Sequence, residues 1–376
     1  MRRRSAACTL FIVACLMLTG CLGEPRTKTI IIEEEPGPAP SAAPSLFEVD
    51  TIYPVMQRYA VRSIGWLDAD AVLAVNAEFK DVSRFYRADA PYDSLTELWE
   101  TSDLFIPENV VLSPDGRYVA YFTVGGPGGL SLKLASLTGG DDKVLDVERL
   151  EPKGAQLSWS GNGRYLCFTM RDADKRALML GVYDTEDGSI DEYSIDEDPS
   201  AYLTAVHISD DGESAVIVKQ SAVSVEQKAA VAVQPSRDES LEFGRLADDR
   251  FVGEYKHSIG GDGLVEWVHP DQIAFTGSDG VLYAYDRRNN AVSVLLRDIG
   301  IFRMSRDRKH IAYMQEDSVY AAKLYGNNVV DKKLIYQGLY AAQLDWSPNN
   351  GKLLLSGAKR LDRAMAEAQN FIIAFK

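Results

Sequence analysis

One short phrase recurs along this chain and limits what it can fold into. Its clear copies begin at Ser113-Pro114-Asp115-Gly116-Arg117, Ser160-Gly161-Asn162-Gly163-Arg164, Ser209-Asp210-Asp211-Gly212-Glu213, Ser305-Arg306-Asp307-Arg308-Lys309 and Ser347-Pro348-Asn349-Asn350-Gly351, and each runs into an apolar stretch such as Tyr118-Val119-Ala120-Tyr121. Two degenerate copies, Trp66 to Leu73 and Trp267 to Phe275, complete the set. The phrase encodes a hairpin: an apolar strand end, a tight turn suited to Pro, Asp, Asn and Gly, and a second apolar strand. The residues that open the copies are Trp66, Leu112, Trp159, Ile208, Trp267, Met304 and Trp346, at intervals of 46, 47, 49, 59, 37 and 42 residues. Intervals of roughly 40 to 50 residues filled with β-branched and aromatic runs are the signature of a propeller blade.

The intervals contain the remaining strands of each unit: Leu130 to Leu137 and Lys143 to Val147, Ala177 to Tyr183 and Ser189 to Ile195, Val281 to Tyr285 and Ala291 to Leu296. The fold expected is therefore all-β, a single β-propeller of four-stranded antiparallel blades over residues 46–376. Seven blades are favoured, with six as the alternative because of the 59-residue interval. The last unit is one strand short, and Val49 to Val55 is placed to supply it as a ring-closing outer strand that leaves no bare sheet edge. Ala358 to Asn370, with Leu361, Ala364, Met365 and Ala368 at helical spacing, predicts a short helix inserted in that unit.

These phrases resemble the PD40, or WD40-like, repeats of the TolB propeller family, whose pattern is Trp-Ser-Pro-Asp-Gly-Lys followed by an apolar strand. The resemblance is strongest at Leu112 to Phe122, Trp159 to Phe168 and Trp346 to Leu355, and departs in the first, fifth and sixth units where Pro, Asp or Gly is lost. It implies architecture only, because such repeats pack blades and make turns in proteins of many functions.

The N-terminus reads as an address. Arg2-Arg3-Arg4 precedes an uncharged, mostly apolar stretch from Ala6 to Leu18, 13 residues long. That is short of the roughly 20 residues a membrane-spanning helix needs and suits a signal peptide over residues 1–20. The stretch ends in Leu18-Thr19-Gly20-Cys21, which resembles the lipobox of bacterial lipoproteins; the resemblance implies cleavage before Cys21 and a lipid anchor on its thiol. Residues 21–45 follow as a stiff spacer with Pro25, Pro36, Pro38, Pro40, Pro44 and Glu33-Glu34-Glu35. The expected location is the bacterial cell envelope, extracytoplasmic and lipid-anchored to a membrane.

Charge and cysteine usage exclude several functions. The chain carries 40 basic and 55 acidic residues, a formal charge of -15. Such a surface, with no basic stripe, repels phosphate backbones, so no nucleic acid partner is expected. Once Cys8, Cys15 and Cys21 are assigned to the leader and anchor, Cys167 is alone in the body and reads as a buried side chain in a strand. His207, His257, His269 and His310 are scattered without metal-ligand spacing. The acidic runs Asp191-Glu192 and Asp196-Glu197-Asp198 lack a calcium-loop order. Val124 to Leu130, rich in glycine, lies between two strands, where a flexible turn is the better reading than a phosphate loop. A Gly-x-Ser-x-Gly nucleophile elbow is missing. No cofactor, metal or catalytic residue is assigned. The sequence points to a non-catalytic binding or scaffolding platform for an envelope protein or glycan. The alternative is a propeller enzyme, a carbohydrate lyase or hydrolase, with a site gathered from several blades around the channel.

Overall fold

In the computed structural model the turn phrase is a hydrogen-bonded cassette built on its serine. Ser113 Oγ donates to Asp115 Oδ1 at 2.6 Å and accepts the N–H groups of Arg117 at 3.1 Å and Tyr118 at 2.9 Å. Ser160 with Asn162, Ser209 with Asp211, Ser305 with Asp307 and Ser347 with Asn349 repeat the arrangement. All five serines are fully buried. Burying a hydroxyl is costly without partners, and here each serine satisfies its own oxygen and the backbone of the strand that follows. The fourth position of the cassette needs a left-handed backbone, with φ of +72° at Gly116, where a Cβ would meet the carbonyl oxygen of Leu67 at 2.4 Å.

The structure describes residues 46–376 except 56–60, 77–81, 106–108, 125–129, 146, 148–149, 151–154, 173–176, 197–201, 221–238, 261–263 and 361–365. The leader, Cys21, the spacer and most of the glycine-rich loop lie outside the described residues, as does Leu361 to Met365 of the expected helix. Pro44–Lys376 form one compact unit.

The described elements are strands, with no α-helix among them. β1 (Val49–Pro54) is followed by a sheet of β2 (Val61–Trp66), β3 (Ala71–Asn76), β4 (Ser83–Asp89) and β5 (Thr96–Thr101) in that order. Next come β6 (Leu104–Phe105), β7 (Val111–Leu112), β8 (Tyr118–Val124), β9 (Leu130–Ser136) and β10 (Lys143–Leu145), where β6 and β7 both pair with β8 and share one strand position. An eight-stranded sheet holds β11 (Leu157–Trp159), β12 (Tyr165–Arg171), β13 (Leu178–Asp184) and β14 (Ile190–Ile195), then β15 (Tyr202–Ile208), β16 (Ser214–Gln220), β17 (Glu239–Ala247) and β18 (Arg250–Ile259). The strand ladders of its two antiparallel halves are joined where β14 and β18 pair in parallel at Ser194 with Arg250 and Ile195 with Phe251. Two further sheets are β19 (Val265–His269), β20 (Gln272–Thr276), β21 (Leu282–Asp286), β22 (Ala291–Leu296), and β23 (Phe302–Met304), β24 (His310–Gln315), β25 (Ser318–Tyr325), β26 (Asn328–Gln337). The last is β27 (Tyr340–Trp346), β28 (Lys352–Arg360) and β29 (Ala366–Phe375), completed by β1.

The expected outer strand from the N-terminal side is present: β1 pairs antiparallel with β29, from Val49 opposite Phe375 to Pro54 opposite Phe371. The expected helix is not. Ala358 to Arg360 and Ala366 to Asn370 continue β28 and β29 as a long hairpin, with Ala358 opposite Ala368 and Lys359 opposite Glu367. Side chains at helical spacing lose here to a ladder that already satisfies the backbone donors and acceptors of both strands.

The core lies between successive sheets. Leu73, Phe85 and Tyr121 join the first sheet to the second, and Cys167, Leu180, Leu203 and Ile217 join the two halves of the eight-stranded sheet. Trp66, Val72, Leu354 and Ile372 pack the first sheet onto the last, so the series of sheets closes on itself. Cys167 is a packed side chain as expected, and burial pushes its thiol up to about 12.

Candidate functional site at the ring axis

Each sheet contributes its first strand to the centre of the ring. The inner strands β2, β15, β19 and β27 carry bulges, between Ser63 and Gly65, Leu203 and Ala205, Trp267 and His269, and Ala341 and Gln343. A bulge bends a strand and re-aims the side chains beside it. Tryptophans at the ends of these strands tie neighbouring sheets together. Trp66 Nε1 donates to the carbonyl of Asp345 at 3.0 Å, Trp346 Nε1 to that of Arg303 at 3.1 Å, and Trp159 Nε1 to that of Val111 at 3.4 Å. In each case the acceptor is the residue before the opening residue of the neighbouring copy.

That acceptor position reads around the ring as Gly65, Val111, Ser158, His207, Glu266, Arg303 and Asp345, and of these Gly65 and the last four line one cavity. Three neutral residues are followed by four polar or charged ones. His207, Glu266, Arg303 and Asp345 line a cavity of about 200 Å³ together with Arg306 and Arg308 from the Ser305 cassette. A wider cavity of about 680 Å³, lined by the beginnings of β2 and β27, shares Ile64, Arg303 and Asp345 with it. Arg303 and Asp345 therefore stand between a narrow and a wide compartment along the axis.

The charges are mutually committed. Arg303 Nη1 donates to Glu266 Oε1 at 2.7 Å, and its Nε lies 3.7 Å from Asp345 Oδ1. Arg308 Nη1 lies 3.8 Å from Glu266 Oε2. The Glu266 side chain is only 9% exposed while Arg303 retains 48% of its side-chain surface. The Glu266 carboxylate drives the Arg303 guanidinium further up, against the cost of its burial. Burial pushes the Asp345 carboxyl above its ordinary range, opposed by Arg303 and Arg306. Burial and the nearby Arg303 charge lower His207 to about 4, so its imidazole is neutral at pH 7.

The other histidines go elsewhere. His257 bonds Tyr255 Oη through Nδ1 at 2.9 Å, His310 packs edge-on against Phe47, and His269 Nδ1 accepts the N–H of Asp271 at 3.2 Å. Among the described residues no group of three or more His, Cys, Asp or Glu is arranged to hold a metal ion. Asp191 and Glu192 are exposed on β14.

The sequence reading missed the axial residues. Their signal was present: aligned on the opening residue of each copy, the preceding position holds His207, Glu266, Arg303 and Asp345 in four consecutive units.

No protein-family model and no curated protein matches this sequence. Solved structures match at the level of the fold. A chain of the mitotic checkpoint complex is 13% identical, with 93% of this chain and 100% of that one covered, at a TM-score of 0.54. Oligogalacturonate lyase in complex with manganese is 11% identical over 84% and 90%, at 0.53. Hydrazine synthase from Kuenenia stuttgartiensis is 15% identical over 78% and 91%, at 0.50. The chain is similar to these and has a β-propeller fold; at such identities nothing beyond the fold carries over.

Proposed function

We propose that this protein is a lipid-anchored, extracytoplasmic β-propeller that binds a partner in the cell envelope without transforming it. The propeller has seven blades on this reading: the eight-stranded sheet counts as two blades joined by the two-residue contact of β14 with β18, and an apolar cluster lies between each blade and the next. The observation that carries the binding reading is the axial cavity. Its narrow compartment, at about 200 Å³, falls below the roughly 300 to 1,000 Å³ of sites that enclose a whole small molecule, and the compartment of about 680 Å³ beside it leaves room for the rest of a larger one. It suits one group of a larger partner, presented to a rigid rim. Cys21 supplies the anchor and residues 21–45 the spacer that carries the ring away from the bilayer.

A second reading, a carbohydrate lyase or hydrolase, is favoured by one feature: His207, Glu266, Arg303 and Asp345 converge on the axis, and oligogalacturonate lyase shares the fold. In its disfavour, Glu266 is engaged by both Arg303 and Arg308. The two readings separate in one set of measurements. Membrane fractionation and mass spectrometry of the mature N-terminus, for the native chain and Cys21→Ser, test the anchor. Cross-linking in intact cells tests for a protein partner, and turnover of envelope oligosaccharides by the native chain and Glu266→Gln tests for an enzyme. A partner cross-linked through the rim with no turnover supports binding; turnover abolished by Glu266→Gln moves the assignment to the enzyme.

A further inference from the structure

Of the five clear turn cassettes, one departs in a way its scaffold does not require. Its second position is Pro114, Gly161, Asp210 and Pro348 in the other copies, and its fourth is Gly116, Gly163, Gly212 and Asn350; in the Ser305 cassette both are arginine, Arg306 and Arg308. Arg308 is held at φ 59°, a left-handed backbone that glycine adopts freely and that crowds an L side chain. The Ser305–Asp307 hydrogen bond at 2.6 Å is kept all the same. Arginine at these positions serves something other than the turn.

Both arginines line the narrow axial cavity with Arg303. The cavity thus carries three guanidinium groups against two carboxylates, Glu266 and Asp345, beside a neutral His207. The lining itself carries one more positive than negative charge, in a chain whose formal charge is -15, with the carboxylates of Asp115 and Asp210 from neighbouring turns set behind it. Among the described residues Arg306 makes no hydrogen bond or ion pair within 4 Å. Burial acts against its guanidinium, joined by the like charge of Arg303 and opposed by the carboxylates of Asp345 and Asp115. The opposite side of the ring makes room: a Cβ on Gly161 would sit 2.7 Å from Arg308 Nη2. A bulkier residue there would push the guanidinium aside.

We infer that the narrow axial cavity is a carboxylate-binding site in which Arg306 and Arg308 grip the ligand and Arg303 sets the charge behind them. A single surplus positive charge matches a carboxylate, and guanidinium is the group that recognises one by paired charge-assisted hydrogen bonds. About 200 Å³ holds the carboxylate end of a small acid or of one side chain. The inference rests on the binding reading above, whose cavity it fills, and it supplies the chemistry of the group recognised.

Its test is titration calorimetry and thermal denaturation of the full chain in detergent micelles, at constant ionic strength with chloride as the balancing anion. The probes are acetate, a capped Gly-Gly-Glu-Gly-Gly peptide and inorganic phosphate. Acetate or the peptide should bind and raise the melting temperature, and Arg306→Pro and Arg308→Gly should each weaken that binding at least about tenfold. These variants restore residues that other copies carry, so they should fold and melt no lower than the native chain in chloride. Tighter binding of the peptide than of acetate identifies a partner protein as the source; equal binding identifies a free acid. No response to either carboxylate, a preference for phosphate, or a response that survives both substitutions together overturns the inference. Such a failure leaves the cross-linking result untouched, so the two readings fall separately.

Discussion

The two arcs of the ring solve the same packing problem with different residues at the axis. From β2 to β12 the equivalent register holds Gly65, Val111 and Ser158; from β15 to β28 it holds His207, Glu266, Arg303 and Asp345. The inter-sheet clusters are alike in both arcs, and indole staples occur in each, that of Trp66 crossing from one to the other. A propeller therefore does not need charge at its centre, as the neutral arc demonstrates. Burying ions costs desolvation that pairing at best offsets, so the charged arc is retained at some expense to stability. Proteins put such groups where a ligand uses them.

The first way to break the comparison is to remove what the arcs share. Trp66 and Trp346 are each about 1% exposed and staple their sheets through the indole N–H. Replacing either by alanine should cost about 3–5 kcal/mol in urea unfolding, and by similar amounts at the two sites. A loss at one site only would show that the arcs are not equivalent scaffolds. The second way acts on the difference. Arg303→Ala leaves Glu266 and Asp345 without their main partner and should cost about 2 kcal/mol, moderated by water in the channel. The double change Glu266→Val with Arg303→Val, which copies the neutral arc, should cost less than Arg303→Ala alone. If it costs more, the charged pair is a structural necessity.

The smallest effect is a slope. His207 binds protons more weakly in the folded chain, near 4, than its ordinary 6.5 in the unfolded one. The unfolded state thus holds more protons between these values, and stability present above pH 6.5 is lost as the pH falls towards 4. Burial also lowers His257 and His310, so the measurement is the difference between the native chain and His207→Gln. That difference should grow to at most about 3 kcal/mol by pH 4, in favour of the variant. A flat difference would place the imidazole in contact with bulk water.

Much of the fold was legible in the sequence because the turn phrase is local. Ser, Asp and Gly close a hairpin through bonds between residues at most five apart, so each copy announces itself wherever it stands. The ring-closing strand was legible from arithmetic alone, since the last unit lacked one strand and Val49 to Val55 could pair with it. The helix expected from Ala358 to Asn370 failed because side-chain spacing was weighed without the facing strand. The candidate site failed to appear for a related reason: residues from His207 to Asp345 are far apart in sequence and share only a register position.

By itself the sequence determined the period, the cassette and the all-β class, for these follow from short-range backbone preferences and the alternation of apolar residues. Only the tertiary structure decided that four polar side chains meet on one arc of the axis and that Arg306 faces the cavity with no hydrogen bond or ion pair within 4 Å among the described residues. Those facts depend on how the sheets close around a centre, and electrostatic balance is a property of distances across the ring, which no stretch of sequence contains.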